Sequence, residues 1–456
     1  MAITTGTKLS SDITAAATSA GVGQAPDRRR LYDFSDRVAE LTPEETPFFT
    51  YLSNVSKEPT DDPVFRYLEN RSKIDFSNRS FLLAADVNSG SAVSAGTSYS
   101  FSVDTAGGAS VDFLIKGMVF AVSTVDSTAG YAQALVRVES AVTDQGSTSS
   151  FTGKIIDVSN SNVSGYNVLS DNDVAQIVGT SFAEGTGGPD AFSSEIEDDF
   201  GYTQIFKTAA EMSNTAMATR FRGYGYEWDR IWALKLREHK VDIERAMLFG
   251  QKARVGGIQY TEGVVGHIVK NANPTTDNSA FSYTSGTPYY RSSTTAELTY
   301  DRFLSDLEVI FDPARGGSGE KLGMAGLPVI TQLNKIGDGG FLDVTTASTQ
   351  VQLQSPLKEM NGAFGHKVMM LDTIHGSIQF IKQPLFRGFA SGMLALVDMG
   401  NIYYRPLVGN GMNRDTQIMT DVQSADEDLR KDIVLTEAGL EVALPETHAL
   451  YNVEGL

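Results

Sequence analysis

The strongest constraint on the fold is one long segment, from Tyr226 to Phe249, that has the periodicity of an amphipathic helix. A helix of this length is about 36 Å long, which is long for a single domain. Its apolar residues fall on one narrow stripe, as in a helix that packs one side against a sheet. The stripe consists of Trp228, Ile231, Trp232, Leu236, Ile243 and Met247. The segment is therefore predicted to be a spine helix, ended by Gly250 or by Gly256 and Gly257.

The opposite side of the predicted spine helix is charged. It carries Asp229, Arg230, Lys235, Glu238, Lys240, Asp242, Glu244 and Arg245. Lys240 and Glu244 are four residues apart and Asp242 and Arg245 three apart, so both pairs are predicted to meet on the surface. His239 lies on the apolar stripe instead, and it is predicted to be a hydrogen-bonded, partly buried residue and not a catalyst.

Residues 57–222 have a different character, rich in Ser, Thr, Gly, Val and Asp. Val136 and Val138 alternate with Arg137 and Glu139, which predicts a half-buried strand. Another alternating run carries Met118, Phe120 and Val122. Glycines are predicted to mark the turns between such runs, at positions 107, 108, 130, 146, 153 and 165. The region predicts a small antiparallel β unit over about residues 80–190, with sheet edges that its own strands leave unpaired.

The acidity of the chain is concentrated in this β-rich region. Of the formal net charge of −19, residues 80–200 contribute −12, from 15 acidic and three basic residues. The runs Asp171–Asp173 and Glu195–Asp199 do not fit a calcium-loop template, so a solvated acidic surface is predicted there. An acidic chain of sequence pI about 4.7 also lacks the basic surface of a dedicated nucleic-acid reader.

The N-terminal 30 residues are mostly small and polar, and they end in Arg28, Arg29 and Arg30. Such a segment buries too little apolar surface to order itself, so it is either a flexible tail or an arm ordered by a neighbouring subunit. The three arginines could attract nucleic acid or an acidic neighbour only weakly. Apolar spacing predicts a helix from Leu31 to Leu41, ended by Thr42 and Pro43, with a short second helix after it.

The C-terminal part mixes helices and strands. A helix is predicted with the apolar face Tyr300, Phe303, Leu304, Leu307 and Phe311, after a polar loop over 271–295. Leu327–Ile330 is predicted as a buried strand entering a short helix at Thr331–Ile336. Strands are predicted at Lys367–Leu371, Ser377–Ile381 and Met393–Val397, and two more between Asp421 and Leu456. This mixture predicts an α+β fold class.

A search for catalytic and binding motifs finds none. The chain has no cysteine, and its five histidines show no H-E-x-x-H pair. Neither a G-x-S-x-G nucleophile motif nor a phosphate-binding loop is present, and Gly316–Gly319 has the wrong spacing for the former. No apolar run is long enough for a membrane span or a signal peptide. The sequence predicts a soluble protein made in a cytoplasm, not an enzyme, with no catalytic, metal or cofactor-binding residues.

Three parts of the sequence resemble one known family. They are Leu41–Phe48 with Val64–Tyr67; Gly201–Lys207 leading into Val241–Leu248; and Asp428–Asp432 with Glu437, Leu440 and Pro445–Ala449. In their order and spacing these stretches resemble the major capsid protein of tailed bacteriophages, which has the Hong Kong 97-type shell fold. The β unit at 80–190 resembles an insertion that some of these subfamilies carry in the extended loop.

The resemblance implies a domain organisation. It implies an N-terminal arm at 1–30, a helical segment at 31–56, an extended loop with the β insertion at 57–222, and a peripheral domain with the spine helix at 223–297. An axial domain would follow at 298–405, and C-terminal strands would return to the peripheral domain at 406–456.

The resemblance also implies a role and partners. Copies of the chain would form pentamers and hexamers of an icosahedral shell around double-stranded DNA, bound without sequence specificity, in a virion assembled in the host cytoplasm. Portal, scaffolding and decoration proteins would be further partners. Two alternatives stay open at this point: an encapsulin-like nanocompartment shell that encloses protein cargo, and another virion protein rich in β-strands.

Overall fold

The computed structural model describes residues 46–70, 80–104, 114–126, 130–144, 148–158, 165–188, 196–221, 225–272, 288–312, 315, 317–340, 358–361 and 367–455. The helices are α1 (Pro47–Val55), α2 (Asn214–Ala218), α3 (Glu227–Phe249), α4 (Val264–Asn271), α5 (Tyr300–Ile310) and α6 (Leu327–Gly340). The predicted arm, Arg28–Arg30, the helix Leu31–Leu41 and Glu44–Glu45, where a short second helix was predicted to open, lie outside these residues. A short helix, α1, is present and begins at Pro47, later than predicted.

Strands make up most of the regular structure. The first twelve are β1 (Val64–Glu69), β2 (Ser80–Leu82), β3 (Ser98–Asp104), β4 (Met118–Asp126), β5 (Gly130–Val138), β6 (Thr143–Asp144), β7 (Thr148–Val158), β8 (Val174–Thr180), β9 (Glu197–Tyr202), β10 (Gln204–Ser213), β11 (Ala253–Val255) and β12 (Ile258–Tyr260). The others are β13 (Tyr289–Thr294), β14 (Glu320–Ala325), β15 (Lys358–Asn361), β16 (Lys367–Asp372), β17 (Ser377–Lys382), β18 (Met393–Val397), β19 (Ile402–Pro406), β20 (Val408–Gly409), β21 (Met412–Asn413), β22 (Gln417–Met419), β23 (Leu429–Val442) and β24 (Ala449–Glu454). The predicted α+β fold class is confirmed.

The spine helix α3 packs on a four-stranded antiparallel sheet. Strand β23 lies at its centre, paired with β10 along its whole N-terminal part and with β19 and β22 on the other side. Helix α3 contacts β10 and β23. Its predicted extent and its end at Gly250 are confirmed.

Only the C-terminal half of the predicted apolar stripe is buried. Ile243 and Met247 are buried, whereas Trp228, Trp232 and Leu236 are half-buried. The predicted ion pair between Asp242 and Arg245 is present at 3.0 Å. The predicted meeting of Glu244 with Lys240 on the surface is wrong, because Glu244 is fully buried. This part of α3 has protein on two sides, so a charged residue outside the stripe also faces the interior.

A mixed seven-stranded sheet forms the second layer, in the order β13-β24-β18-β14-β17-β16-β15. Alternate residues of its central strands point into two different cores. Met324 and Ala395 face the core shared with α3 and the four-stranded sheet, and Ala325 and Leu396 face the core under α5 and α6. Because both faces are covered, strand β18 is apolar on every residue, unlike strands with one face in water.

The β insertion closes on itself. Its strands follow the order β2-β8-β4-β5-β7-β3, and the peptide N–H of Ala84 donates to the Ser102 carbonyl at 2.9 Å beside a bridge between Leu83 and Val103. The two end strands therefore meet, and the sheet is a small barrel with its own core. The prediction that this unit leaves its edges unpaired is wrong, because closure removes the edges of a sheet.

A two-stranded antiparallel ribbon carries the barrel. Its strands are β1 and β9, which pair from Val64 with Tyr202 to Glu69 with Glu197. Every strand of the barrel lies between them in the chain. The barrel is thus an insertion at the far end of the ribbon, and β10 leads from the ribbon directly into the four-stranded sheet.

Several local predictions are tested by these elements. The half-buried strands around Val136 and Phe120, the helix at 300–310, the three strands between 367 and 397 and the two C-terminal strands are confirmed. The prediction of a strand at Leu327–Ile330 is wrong, since these residues form the first turn of α6, where a proline is well accommodated. The polar loop at 271–295 contains β13, which pairs in parallel with β24.

The prediction that Gly153 marks a turn is wrong, because this residue lies inside β7. A Cβ atom there would lie 2.7 Å from Val136 Cγ1 and 2.9 Å from a Phe101 ring carbon. The glycine is therefore required by close packing in the barrel core. Gly165, in contrast, has a φ of +72° and is at a turn, as predicted.

Candidate assembly surfaces

The ribbon has one packed face and one exposed face near its root. Phe65 and Tyr67 are buried, while Arg66 and Leu68 alternate with them and are exposed. The Phe65 ring lies over Gly201 and Gly439, where a Cβ atom would come within 2.3 and 2.5 Å of ring carbons. Leu68 is 72% exposed, and neither β1 nor β9 has a second neighbouring strand among the described residues. The ribbon thus presents apolar surface and unpaired backbone edges to its surroundings.

A network of charges fixes the root of the ribbon. The nearly buried Lys252 Nζ donates to Asp199 Oδ1 and to the Phe200 carbonyl, both at 2.9 Å, and lies 3.6 Å from Glu262 Oε2. His267 Nδ1 is 3.3 Å from the same Glu262 oxygen. Lys252 therefore joins β9 to the loop that precedes α4.

The pKa values of the two carboxyls follow from these contacts. Burial raises the pKa of Asp199, but hydrogen bonds from Lys252 and from the Phe200 peptide N–H outweigh burial and lower it below its usual range. For Glu262, burial is likewise outweighed, and the nearby His267 ring together with the charges of Lys252 and Lys270 lowers the pKa below its usual range. Both groups are thus ionised at neutral pH and retain Lys252 electrostatically.

The N-terminal half of α3 forms a second exposed apolar surface. Trp228 and Trp232 stack with ring centroids 6.4 Å apart, and the Arg430 guanidinium lies 4.8 Å over the Trp228 ring. Arg430 also contacts Asp432 at 3.1 Å and Asp421 at 3.7 Å. The interpretation of Trp232 as a buried core residue is therefore wrong, because it packs on its neighbour one turn away and stays half-exposed.

The outside of the barrel has two exposed apolar residues at irregularities in strand pairing. Val178 lies where the β4–β8 register shifts, and Ile156 where the β5–β7 register shifts. They are 62% and 47% exposed. Both residues keep the outward alternation of their strands, since Ile156 follows the buried Ile155 and Val178 is two residues after the exposed Gln176.

The groups that the sequence raised as possible reaction or metal centres have structural partners. His239 is buried between Thr208 and Thr436, at 2.9 and 2.8 Å from its two ring nitrogens, as predicted for a satisfied histidine. Burial lowers its pKa. In the turn at 171–173, Asp173 accepts a hydrogen bond from the Ser170 peptide N–H at 2.7 Å. Within the described residues, no three His, Asp or Glu side chains converge as a metal site.

Sequence reasoning missed a buried ionisable cluster between the strands of the seven-stranded sheet. Lys321 Nζ donates to the Thr447 carbonyl at 2.6 Å, and burial lowers its pKa to about 8. His448 Nδ1 accepts from the Asp398 peptide N–H at 3.1 Å, and burial lowers its pKa to about 3. These groups come from three distant segments, so no sequence spacing reveals them.

No helix of the described residues is long and apolar enough to cross a membrane.

Comparison with known proteins identifies the family of this chain. The sequence profile of the SU10 major capsid protein family matches residues 4–454. The chain belongs to the SU10 major capsid protein family. The prediction of a major capsid protein is thereby confirmed for this SU10 family member. No curated protein matches it.

Solved structures similar to this SU10 family member include other shells at low identity. The capsid of a native GTA particle is 8% identical with a TM-score of 0.43, covering 96% of this chain and 99% of that one. The structure of Mycobacterium phage Bobi is 6% identical with a TM-score of 0.41, covering 94% of this chain and 97% of that one. The holo-SrpI encapsulin complex from Synechococcus elongatus PCC 7942 is 11% identical with a TM-score of 0.38, covering 57% of this chain and 77% of that one.

Proposed function

We propose that this chain is the subunit that self-assembles, as pentamers and hexamers, into the icosahedral head shell around the double-stranded DNA of a tailed bacteriophage. Family membership supports the capsid role. The observation that carries self-assembly is the β1–β9 ribbon, which projects an exposed leucine and open strand edges. An exposed strand edge is a template for pairing with another chain. The many small contacts of a symmetric lattice then add up through multivalency.

The domain organisation follows the Hong Kong 97-type plan in this proposal. The arm is residues 1–30 and the helical segment 31–56, the extended loop with its barrel is 57–222, and the peripheral domain with α3 is 223–297. The axial domain is 298–405, and the C-terminal strands are 406–456. The sheets support this plan in outline, although β24 lies in the seven-stranded sheet beside β18, while β23 lies under α3.

The proposed role is structural and needs no catalysis. DNA would be enclosed without sequence-specific contacts, and an acidic subunit would limit adhesion of the DNA during packaging. Assembly in the host cytoplasm, and contacts with portal, scaffolding or decoration proteins, belong to the same proposal. Deleting residues 1–30 should leave the circular dichroism spectrum folded but impair shell formation, whereas normal shells would refute a role for the arm.

A substitution on the ribbon tests the assembly role. Leu68→Asp changes a side chain that is 72% exposed, so the isolated subunit should melt like the parent. A charge at a desolvated contact is costly, so closed particles should be lost in electron micrographs. The matched control Leu68→Met keeps the apolar surface and should assemble normally.

Two outcomes separate this proposal from its alternatives. If Leu68→Asp forms closed particles as efficiently as the parent, the ribbon is not an assembly contact. If particles from infected or expressing cells contain protein cargo and no DNA, the nanocompartment interpretation replaces the phage head.

A further inference from the structure

A buried carboxyl joins the spine helix to the seven-stranded sheet. Glu244 lies in the C-terminal half of α3, and Gln383 directly follows β17. Gln383 Nε2 donates to Glu244 Oε1 at 2.7 Å, and both residues are buried. The Gln383 peptide N–H donates to the Ala325 carbonyl of β14 at 2.9 Å, which holds the amide against the sheet. This contact therefore connects the two layers of the fold.

The hydrogen bonding of this pair is incomplete in a specific way. Among the described residues, Glu244 Oε2 and Gln383 Oε1 are both buried and both without a hydrogen-bond partner. The oxygens of an ionised carboxylate can only accept hydrogen bonds, and the same is true of an amide oxygen. A proton on Glu244 Oε2 would turn that atom into a donor for Gln383 Oε1. One proton would thus satisfy two buried atoms, each of which is costly to leave unpaired.

We propose that Glu244 is protonated in the native fold, forms a two-bond acid–amide clasp with Gln383, and releases this clasp when the carboxyl ionises. The clasp makes the contact between the spine helix and the seven-stranded sheet sensitive to pH. It concerns a conformational device within the subunit and does not depend on the proposed assembly role.

Among the described residues, no charged side chain pairs with Glu244. Helix α1, which packs against this part of α3, contains no Asp, Glu, Lys, Arg or His. The charged side chains of the other elements around α3 are exposed or have other partners: Lys207 and Lys382 are exposed; His267 and Lys270 contact Glu262; Lys431 contacts Glu211; Arg430 contacts Asp432; Arg414 contacts Glu437; and Arg405 contacts Glu441.

The titratable residues on α3 itself also point elsewhere. His239 bonds to two threonines, Asp242 and Arg245 pair on the surface, and Lys240 is exposed. Burial raises the pKa of Glu244 to about 7, although the hydrogen bond from Gln383 and the peptide N–H groups of Phe49 and Phe48 lower it. The carboxyl therefore changes its charge close to neutral pH.

The direction of the pH effect follows from proton binding. The pKa of this carboxyl is 4.5 as the ordinary value and about 7 when buried. Between these values the folded chain holds a proton that the unfolded chain has lost. The stability contributed by the protonated clasp therefore falls as pH rises from 4.5 to 7, by up to about tenfold in the unfolding equilibrium per pH unit. Above pH 7 the folded chain keeps a buried carboxylate whose Oε2 has no hydrogen-bond partner among the described residues.

Glu244→Gln tests the clasp in the full-length chain. Its amide can donate to Gln383 Oε1 and accept from Gln383 Nε2 without any ionisation. The variant should unfold like the parent at pH 5 and have an unfolding constant about 100-fold smaller than the parent at pH 8. Asp242→Asn, on the same helix but exposed, should track the parent at both pH values. A Glu244→Gln variant as stable as the parent, or less stable, at pH 8 would overturn the proposal.

Infrared difference spectroscopy provides a measurement that does not depend on the stability of a variant. In protein labelled with carbon-13 at glutamate carboxyls, the parent should show the C=O stretch of a protonated, buried carboxyl that disappears as pH rises through neutrality. Absence of any such band at pH 6 would show that Glu244 is ionised in the native fold, and the clasp would be rejected.

Discussion

Truncating Phe120 should strongly destabilise the barrel and leave the stability of the rest of the subunit unchanged. Phe120 is fully buried at the centre of an aromatic cluster. Its ring centroid lies 5.2 Å from that of Phe81, 5.6 Å from Phe101 and 5.7 Å from Phe151, each in an edge-to-face arrangement. Phe120→Ala removes all three contacts and leaves a cavity in a core that, among the described residues, is formed only by residues 81–177.

The expected magnitude follows from the burial of this side chain. Replacing a buried phenylalanine by alanine costs about 3–5 kcal/mol, and lost aromatic pairs place this site in the upper half of that range. At about 1.4 kcal/mol per tenfold, 4 kcal/mol raises the unfolded fraction of the barrel roughly 1,000-fold. Domains of this size are stable by only about 5–15 kcal/mol, so the substitution would remove roughly a quarter to four-fifths of the stability of the barrel.

Hydrogen exchange of the unassembled chain measures this effect strand by strand. Amides of β4, β5, β7 and β8 should exchange roughly 1,000-fold faster in Phe120→Ala, whereas amides of α3 and β23 should keep the protection of the parent. Ile156→Ala, on the outside of the same barrel, is the control and should change little. Loss of protection in β23 together with the barrel would show that the two units unfold as one, and the argument for a separate core would fail.

Three further predictions concern the ribbon, the spine helix and pH. Lys252→Met should lower the free energy of unfolding by about 2 kcal/mol, which is less than the ~3–5 kcal/mol that a fully unpaired buried charge costs, because His267 still faces Glu262. It should also speed amide exchange in β1 and β9, and unchanged exchange would contradict the role of the charge network. Trp232→Ala should lower the free energy of unfolding, measured by thermal denaturation, by only about 1 kcal/mol, since the side chain is half-exposed. A loss above ~3 kcal/mol would show that Trp232 occupies a buried core position. His448 is buried with its pKa lowered to about 3. Its contribution to stability should therefore fall by up to about 1.4 kcal/mol per pH unit as pH drops below 6.5, so His448→Gln should lose less stability than the parent over this range, and equal losses would exclude this histidine.

Local periodicity predicted the elements that have one face in the core. The strand around Val136 shows regular spacing because one of its faces packs on the barrel core, and the stripe of α3 shows it where the helix packs on the four-stranded sheet; the positions of both elements are confirmed. The same logic failed where two layers meet. Glu244 lies between the spine helix and the seven-stranded sheet, and helical spacing assigned it to the charged surface, since spacing records only one buried direction.

Features that depend on distant residues were also out of reach. Closure of the barrel depends on Leu83 meeting Val103, and the parallel pairing of β13 with β24 joins segments about 160 residues apart. Neither contact leaves a local pattern. Leu327–Ile330 was ambiguous for another reason, since four apolar residues suit a buried strand or the first turn of a helix equally well.

Electron microscopy of the purified chain, expressed without any other phage protein and combined with sedimentation velocity, tests the assembly claim most directly. We expect closed shells built from many copies of the chain, with a fraction of large particles that grows with protein concentration. Monomers alone, at every concentration and in every buffer tried, would contradict it.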